Sequence, residues 1–453
     1  MAPAFGQARD PEAFVNRQRA IEEQVRALRD RELGPAGETA FDYGGWYSFH
    51  LLIFDDGIES SRTFRRHDLR LWGRAILEGG AHEFYARGRF SLLDFNSGDS
   101  FDGNDDDIEG PNLERGCYRF DLQKAARAYG WAVPEYNFNL QVGRDLVELG
   151  TGLTLSAPLD HVALTTTASD FQLTGLIGRT IGSSQDFDLT RHTTRTRRAF
   201  FGAELRYTGF GTHEPFAYIL WQRDHNRDAL PHLLQDFDYD SFYAGLGSTG
   251  ELTKGVRYLA EWVYESGHSF GHRRFLDNDV IRAWAFDLQL EYLFKGPKMA
   301  RASVEYLFAG GDSNRLDSPT DAIGGNRLNR QDNSFIGFGY RDTGLSLAPR
   351  YSNLHLWRAG GSFHPWPDHP RFARLELGTN WFLYYKNHRR GAISDPTADL
   401  PCGYLGWETD YYANWELSAD LTWTARLGAF FPGDAFSDQT SRTFLITGIT
   451  WSF

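Results

Sequence analysis

The chain has 453 residues, of which 15% are aromatic and 47 are glycine, and its formal net charge is −13 at pH 7. A net negative charge of this size argues against nucleic acid as a partner. Mean hydropathy is −0.48, and no run approaches the ~18 apolar residues of a transmembrane helix. This excludes a helical membrane protein but not a membrane β-barrel, whose strands are only half apolar.

Residues 1–40 are predicted to form a leader and a periplasmic helix ahead of the main domain. Ala2 to Ala8 resembles either the small-residue end of a signal peptide or a disordered leader. Pro11 to Leu33 is predicted to be helical, and Gly34-Pro35 ends it. Its apolar residues lie on one narrow face of the predicted helix: Phe14, Ile21, Val25 and Leu28. Packing near a barrel mouth, contact with a periplasmic partner and self-association as a short coiled coil stay open for this helix.

Residues 41–453 contain a succession of strand-like segments with two different faces. Trp284, Phe286 and Leu288, for example, oppose Asp287 and Gln289, which is the period-2 pattern of a half-buried strand. We mark eighteen such segments, at 44–54, 67–78, 82–95, 114–124, 135–145, 159–167, 170–180, 198–209, 214–225, 239–248, 254–266, 281–294, 299–310, 352–364, 371–386, 404–418, 420–431 and 442–453.

The links between these segments alternate in length. Short links at 78–81, 168–169, 295–298 and 419 take turns with long ones at 95–113, 181–197, 226–238, 267–280, 311–351 and 387–403. Periplasmic turns and long outer loops alternate in this way in outer-membrane barrels, and an even strand count places both termini in the periplasm. The sequence therefore predicts an all-β fold, an 18-stranded antiparallel transmembrane β-barrel with a short N-terminal helix, in contact with the lipids of a Gram-negative outer membrane.

The last segment, Arg442 to Phe453, has the features of a closing strand. Alternate residues counted back from Phe453 are mostly apolar, and the intervening set is mixed or small. An aromatic residue at its end suits the boundary between lipid and water. We therefore expect this strand to pair with the first one.

If the apolar set faces lipid, many charged residues face the lumen, where ionised groups can stay hydrated. The inward cations are nearly all arginine, which can bind a carboxylate through two parallel hydrogen bonds. They are Arg70, Arg74, Arg87, Arg89, Arg119, Arg206, Arg257, Arg301, Arg374 and Arg426. The inward acids are Asp121, Glu204, Glu261, Asp287, Glu291, Glu305, Glu376, Glu408 and Asp410. This pattern favours either an anion-selective lumen or a wall in which the arginines only form salt bridges.

No motif in the chain indicates catalysis, a metal or another cofactor, so we predict none of these and no enzymatic activity. The acidic stretch from Asp99 to Glu109 could bind Ca²⁺, but it lacks EF-hand spacing and is interpreted as a solvated loop. Cys117 and Cys402 match no metal or redox spacing. They are interpreted as incidental, with a disulfide between them as the alternative.

Three stretches in the last third resemble the bacterial alginate-export family of outer-membrane porins. They are N-R-Q-D-N-S-F-I-G-F-G-Y-R-D-T-G-L-S-L-A-P-R-Y-S-N-L at 329–354, L-G-W-E-T-D-Y at 405–411 and R-L-G-A-F-F-P-G-D-A-F at 426–436. Weaker similarity covers D-L-R-L-W-G-R at 68–74 and V-G-R-D-L at 142–146.

The resemblance implies an 18-stranded monomeric barrel that exports anionic alginate passively through an Arg-lined constriction. Carried over by position, it adds Arg327 and Arg144 to the pore-lining residues, together with Arg70, Arg119 and Arg426. Arg144 shares the parity of the outward Val142, so only a bulge at Gly143 would turn it inward. Ser48 and His50 stand where that family presents a lumenal lysine, and the turn that plugs the alginate porin is reduced to the neighbourhood of Ala419.

The sequence predicts a passive outer-membrane porin for an anionic solute, such as alginate, another acidic polysaccharide or a uronate, through an Arg-lined lumen. One alternative is a structural or adhesion barrel whose lumen is plugged by the 311–351 loop. The other is an outer-membrane barrel enzyme.

Overall fold

The computed structural model describes residues 39–57, 61–100, 105–182, 184, 186–188, 196–226, 235–236, 238–272, 277–315, 318–321 and 331–453. The predicted helix from Pro11 to Leu33 lies outside the described residues. No helix in the described ranges has both the length and the apolar character needed to cross a membrane.

The described chain forms a closed antiparallel barrel of eighteen strands. The strands are β1 (Thr39–Asp55), β2 (Arg62–Leu77), β3 (His82–Phe95), β4 (Asp107–Asp121), β5 (Tyr136–Leu149), β6 (Leu155–Ala168), β7 (Phe171–Thr180), β8 (Arg198–Tyr207), β9 (His213–Asp224), β10 (Asp240–Thr253), β11 (Val256–His272), β12 (Asp277–Leu293), β13 (Arg301–Ala309), β14 (Leu354–Phe363), β15 (Leu375–Lys386), β16 (Tyr404–Glu416), β17 (Leu421–Pro432) and β18 (Arg442–Ser452). Each predicted segment corresponds to one of them.

Pairing between the first and last strands closes the barrel. β1 and β18 run antiparallel from Trp46 opposite Ser452 to Asp55 opposite Thr443. The backbone N–H of Gly45 donates to the carbonyl of Phe453, and Phe453 N–H donates to Gly45 at the same distance of 3.0 Å. The role predicted for the terminal stretch is confirmed, and closure leaves no open sheet edge between these strands.

The outer wall is apolar, as the alternation predicts. On β11, Trp262 and Tyr264 face outward and are 37% and 38% exposed, whereas Glu261, Val263 and Glu265 face inward and are buried. Because a closed barrel satisfies its backbone polar groups internally, this arrangement suits a wall in contact with lipid.

Several element bounds differ from the predicted segments. The fourth segment was predicted to be a strand to residue 124, but a helix, α1 (Leu122–Ala128), follows β4. Its N-cap is Asp121, whose side chain accepts a hydrogen bond of 3.0 Å from the backbone N–H of Lys124. The connection predicted at 267–280 is also shorter, because β11 continues to His272 and β12 begins at Asp277.

The long connection between β13 and β14 positions most of the interior. Its residues Phe335, Ile336, Leu347 and Tyr351 are buried inside the barrel in one apolar cluster with side chains from β5 to β17. The apolar core of this protein therefore lies partly within the barrel, between the inward faces of the strands and this connection.

Candidate functional site

The inward face of β2 to β5 carries a patch that we call the arginine wall. It consists of the guanidinium groups of Arg66, Arg70, Arg87, Arg89, Arg115 and Arg119 and the carboxylates of Asp68, Glu114 and Asp145. Strand register builds it, because Arg70 lies opposite Arg89 on β3, and Arg87 lies opposite Arg115 on β4. Residues opposite each other in adjacent strands point to the same face.

Three guanidinium groups of the arginine wall share one carboxylate, that of Glu114. Its Oε2 atom lies 3.1 Å from Nε of Arg70 and 2.8 Å from Nε of Arg87, and Oε1 lies 4.0 Å from Arg89. Glu114 has no partner in the β3–β4 register, which passes from Arg87–Arg115 to Gly88–Leu113. This bulge turns the side chain of Glu114 inward beside that of Arg115.

The other two carboxylates are shared as well. Asp68 lies 3.1 Å from Arg66 and 3.4 Å from Arg70, and Asp145 lies 2.6 Å from Arg115 and 2.9 Å from Arg119. Six guanidinium groups therefore contact three carboxylates here, with further contacts from Glu109 to Arg89 and from Glu83 to Arg119. With Glu83 and Glu109 counted, six cations face five carboxylates, so the positive charges named here exceed the negative ones by one.

An aromatic ring supports the centre of the arginine wall. The guanidinium carbons of Arg70 and Arg87 lie 5.8 and 5.4 Å from the ring centroid of Trp46 on β1. Cation–π contact at this distance holds the two charged groups in place without neutralising them.

The second part of the interior is residues 331–353 of the β13–β14 connection, which we call the inner segment. Its first two residues, Gln331 and Asp332, pair in parallel with β12. The segment then passes β10 and β11, where the N–H of Ile336 donates to Glu265 at 3.0 Å and its carbonyl accepts from the hydroxyl of Tyr243 at 2.6 Å. Phe338 then pairs with Leu155 at the start of β6. Its ring packs edge-on against that of Phe200.

Arg341 is the main cationic anchor of the inner segment. Its Nε donates to Asp287 on β12 at 2.6 Å, and its NH1 donates to the carbonyl of Thr151 at 3.0 Å. A second carboxylate, that of Glu261, lies 3.7 Å away. Burial opposes the charged form, but Asp287 and Glu261 outweigh it and hold the pKa of the Arg341 guanidinium above its ordinary value.

Glu408 on β16 binds the last part of the inner segment. Its carboxylate accepts hydrogen bonds from the backbone N–H groups of Leu345, Ser346 and Leu347 at 2.6, 2.6 and 2.9 Å. Leu345 also packs on a small apolar cluster formed by β1, β2, β3 and β18. The inner segment therefore crosses the barrel interior, from the inward faces of β10 to β12 to the neighbourhood of the arginine wall.

The register places eight of the predicted pore-lining arginines on the inward face: Arg70, Arg74, Arg89, Arg119, Arg206, Arg257, Arg301 and Arg426. They do not form one ring. Arg119 and Arg301 have side chains 41% and 45% exposed inside the barrel, whereas that of Arg70 is 4% exposed. Arg374 lies in the turn before β15. It forms an exposed pair with Glu416 at the turn end.

Two arginines inferred from the family resemblance are not placed in the interior. Arg327 lies outside the described residues. Arg144 faces outward, because the registers of β5 with β4 and β6 run through Gly143 without a shift. The bulge that an inward Arg144 requires is therefore not formed in β5, and the Arg144 guanidinium binds Asp160 on the outer wall at 2.8 Å.

Some interior residues of the site are absent from the sequence prediction. Arg66 and Arg115 share the parity of Arg70 and Arg119, which were predicted to face inward, so alternation could have found them. Glu114 has the opposite parity and needs the bulge. The anchors of the inner segment lie in a connection without periodicity. Cys117 and Cys402 are both free thiols, so the alternative of a disulfide between them is wrong.

Comparison with solved structures shows the same fold in several porins. OccK5 (OpdH) of Pseudomonas aeruginosa has a TM-score of 0.54 at 10% identity, covering 91% of this chain and 98% of that one. OpdK of the same organism, solved with vanillate, has a TM-score of 0.55 at 11% identity, covering 91% and 99%. A BenF-like porin from Pseudomonas fluorescens Pf-5 has a TM-score of 0.54 at 12% identity, covering 93% and 100%.

A closed 18-stranded barrel with an apolar outer wall defines a β-barrel porin of the Gram-negative outer membrane. The sequence profile of the alginate export family matches residues 105–445, well over half of the chain. The chain therefore belongs to the alginate export family, as the resemblance predicted. No curated protein matches it in a direct sequence comparison.

Proposed function

We propose that this porin conducts an anionic solute passively, and that the solute passes along the arginine wall. The proposed class of solute is alginate, another acidic polysaccharide or a uronate, and no residue acts catalytically. The observation that carries the proposal is the gathering of six inward guanidinium groups around five carboxylates on β2 to β5. Surplus guanidinium charge on one side of a lumen attracts carboxylates and repels cations.

The chemistry of arginine supports this class of solute. A guanidinium stays charged at any relevant pH and binds a carboxylate with two parallel hydrogen bonds. Arg115 and Arg119, which share Asp145, have side chains 17% and 41% exposed, so they are the members of the arginine wall most open to a solute carboxylate. A uronate chain presents a carboxylate on each residue, so it could move from one guanidinium to the next.

Reversal potentials test the proposal. The protein is reconstituted in a planar bilayer under a KCl gradient, and we expect the current to be anion-selective. Arg119→Glu should shift the selectivity toward cations, because this inward side chain is 41% exposed and two charge units change. Arg65→Glu is the matched control, since Arg65 lies on the outward face beside Asp94. A cation-selective wild-type pore, or equal shifts in both variants, would overturn the proposal.

Blocking experiments test the class of solute. Trimannuronate added to one side should interrupt the single-channel current, and neutral maltotriose at the same concentration should not. If both sugars interrupted the current equally, the arginine wall would bind sugars without recognising their charge, and the proposed class of solute would be wrong.

The inner segment supports a second candidate, a barrel whose lumen is closed. Phe335, Leu347 and Tyr351 are almost fully buried, and Glu408 holds the segment through three backbone hydrogen bonds. A closed barrel would carry no current in the same bilayers. Wild-type conductance therefore separates the two candidates.

A further inference from the structure

The outer wall of the barrel carries a groove that the transport proposal does not use. Its volume is about 640 Å³, and its lining is almost wholly apolar. The lining side chains come from β6 to β10 and include Leu164, Ile177, Phe201, Ile219 and Trp221. These residues face outward, as the 60% exposure of Ile177 and the 50% exposure of Ile219 show.

Strand register explains why a groove forms at this place. In one row, Leu164 lies opposite Gly175, Gly175 opposite Ala203, and Ala203 opposite Ile219. Two small residues thus lie between two large ones. A Cβ atom built on Gly175 would meet no atom within 4 Å, so the space outside it is open.

The loop end of the groove carries a row of charge. Arg179 lies opposite Ala199, and Ala199 lies opposite Arg223. Arg179 and Arg223 are therefore two strands apart, or about 10 Å, with only a methyl group between them. Their side chains are 77% and 47% exposed. Two guanidinium groups at this separation can converge on one anion above Ala199.

Among the described residues, the salt bridges of these two arginines are long. Nε of Arg179 lies 3.9 Å from Asp160, and NH1 of Arg223 lies 3.7 Å from Asp240. Both distances exceed the ~2.8 Å of a charge-assisted hydrogen bond. Asp160 is bound instead by Arg144, which donates to both of its oxygens at 2.8 and 3.2 Å. Arg144 thus neutralises Asp160 and leaves Arg179 able to bind another anion.

We infer that the groove is a binding site for one molecule of lipid A, the phosphorylated lipid of the outer leaflet. An acyl chain would lie over Gly175 and Ala203, and a phosphate would bind Arg179 and Arg223. Trp221 supports this geometry, because its ring centroid lies 4.4 Å from the Arg223 guanidinium carbon and orients that group at the head of the groove. The apolar lining of the groove matches the acyl chains of such a lipid, and the two arginines at its loop end match the phosphate.

Native mass spectrometry of the full chain in detergent, titrated with diphosphoryl lipid A, tests the inference. Arg179→Gln combined with Arg223→Gln should lower the affinity about 100-fold, because removal of each charge-assisted hydrogen bond should weaken binding about tenfold. Arg65→Gln should bind as the wild type does, because Arg65 is an outward, partly exposed arginine near the loop end of β2, away from the groove. Heat-modifiable migration on gels verifies that each variant is folded.

A second variant tests the apolar half of the site without changing charge. Gly175→Leu places a side chain in the open space of the groove, so it should lower the affinity for lipid A about tenfold. Unchanged affinity in both the arginine and the glycine variants would overturn the inference, as would an equal loss in Arg65→Gln. Competition by phosphatidylglycerol at equal concentration would overturn the assignment to lipid A. None of these outcomes depends on ion selectivity, so the inference stands or falls apart from the transport proposal.

Discussion

The arginine wall and the inner segment occupy different parts of the barrel interior and use buried charge in different ways. In the arginine wall, one carboxylate, that of Glu114, is shared by three guanidinium groups. In the inner segment, one carboxylate, that of Glu408, accepts three backbone N–H groups. The first arrangement gathers cations around a carboxylate, and the second gathers uncharged backbone donors around one.

The difference separates charge that recognises a solute from charge that builds structure. A carboxylate surrounded by backbone donors is stabilised only while the segment that provides them stays in place. A single carboxylate shared among several guanidinium groups balances only part of their positive charge. The two regions should therefore respond to substitution through different properties, gating in one case and ion selectivity in the other.

The largest effect is expected from Glu408→Ala. The substitution removes the acceptor of three buried N–H groups, which should weaken the attachment of the inner segment by about 3 kcal/mol. We expect the segment to detach and the single-channel conductance to rise. Glu416→Ala is the matched control on the same strand, because Glu416 is exposed and its salt bridge within the described part of the chain is to the exposed Arg374. Wild-type conductance in Glu408→Ala would mean that the inner segment does not restrict the current.

The arginine wall should determine the sign of the selectivity. Replacing Arg70 and Arg87 together by Gln should lower the permeability ratio of chloride to potassium on the order of fivefold, which corresponds to about 1 kcal/mol of electrostatic free energy. Reversal potentials under a KCl gradient measure this ratio. The shift should fade at 1 M salt, where the Debye length is about 3 Å. A shift that persists there would point to a change of pore shape instead of charge.

A smaller effect of opposite sign is expected from Glu114→Gln. The carboxylate that three arginines share loses its charge, so the surplus on the arginine wall grows and anion selectivity should rise about twofold. The shape of the side chain is nearly unchanged, which makes this the closest test of charge alone. Lower anion selectivity would show that Glu114 mainly positions the three guanidinium groups.

The barrel itself could be predicted from the sequence because its physical cause is local. Each strand alternates between lipid and interior, so Trp262 and Glu261 reveal their faces without knowledge of the partner strand. An inward 311–351 loop could be predicted only as an alternative. The contacts of the inner segment could not be predicted, since Ile336 and Leu345 contact Glu265 and Glu408, more than sixty residues away, through a connection without periodicity. The helix α1 was missed because its N-cap, Asp121, also fits the end of a strand.

The smallest effect is expected from Arg144→Gln, which tests the limit of inference by family resemblance. Resemblance assigns this residue to the pore, but β5 runs through Gly143 without a bulge and the guanidinium binds Asp160 on the outer wall. A charge there is separated from the lumen by the barrel wall and screened by water and salt at the membrane surface. We expect the reversal potential of Arg144→Gln to equal that of the wild type, in contrast to the shift expected of the inward Arg119→Glu. A shift as large as that of Arg119→Glu would mean that β5 is bulged in the membrane and that Arg144 faces the lumen.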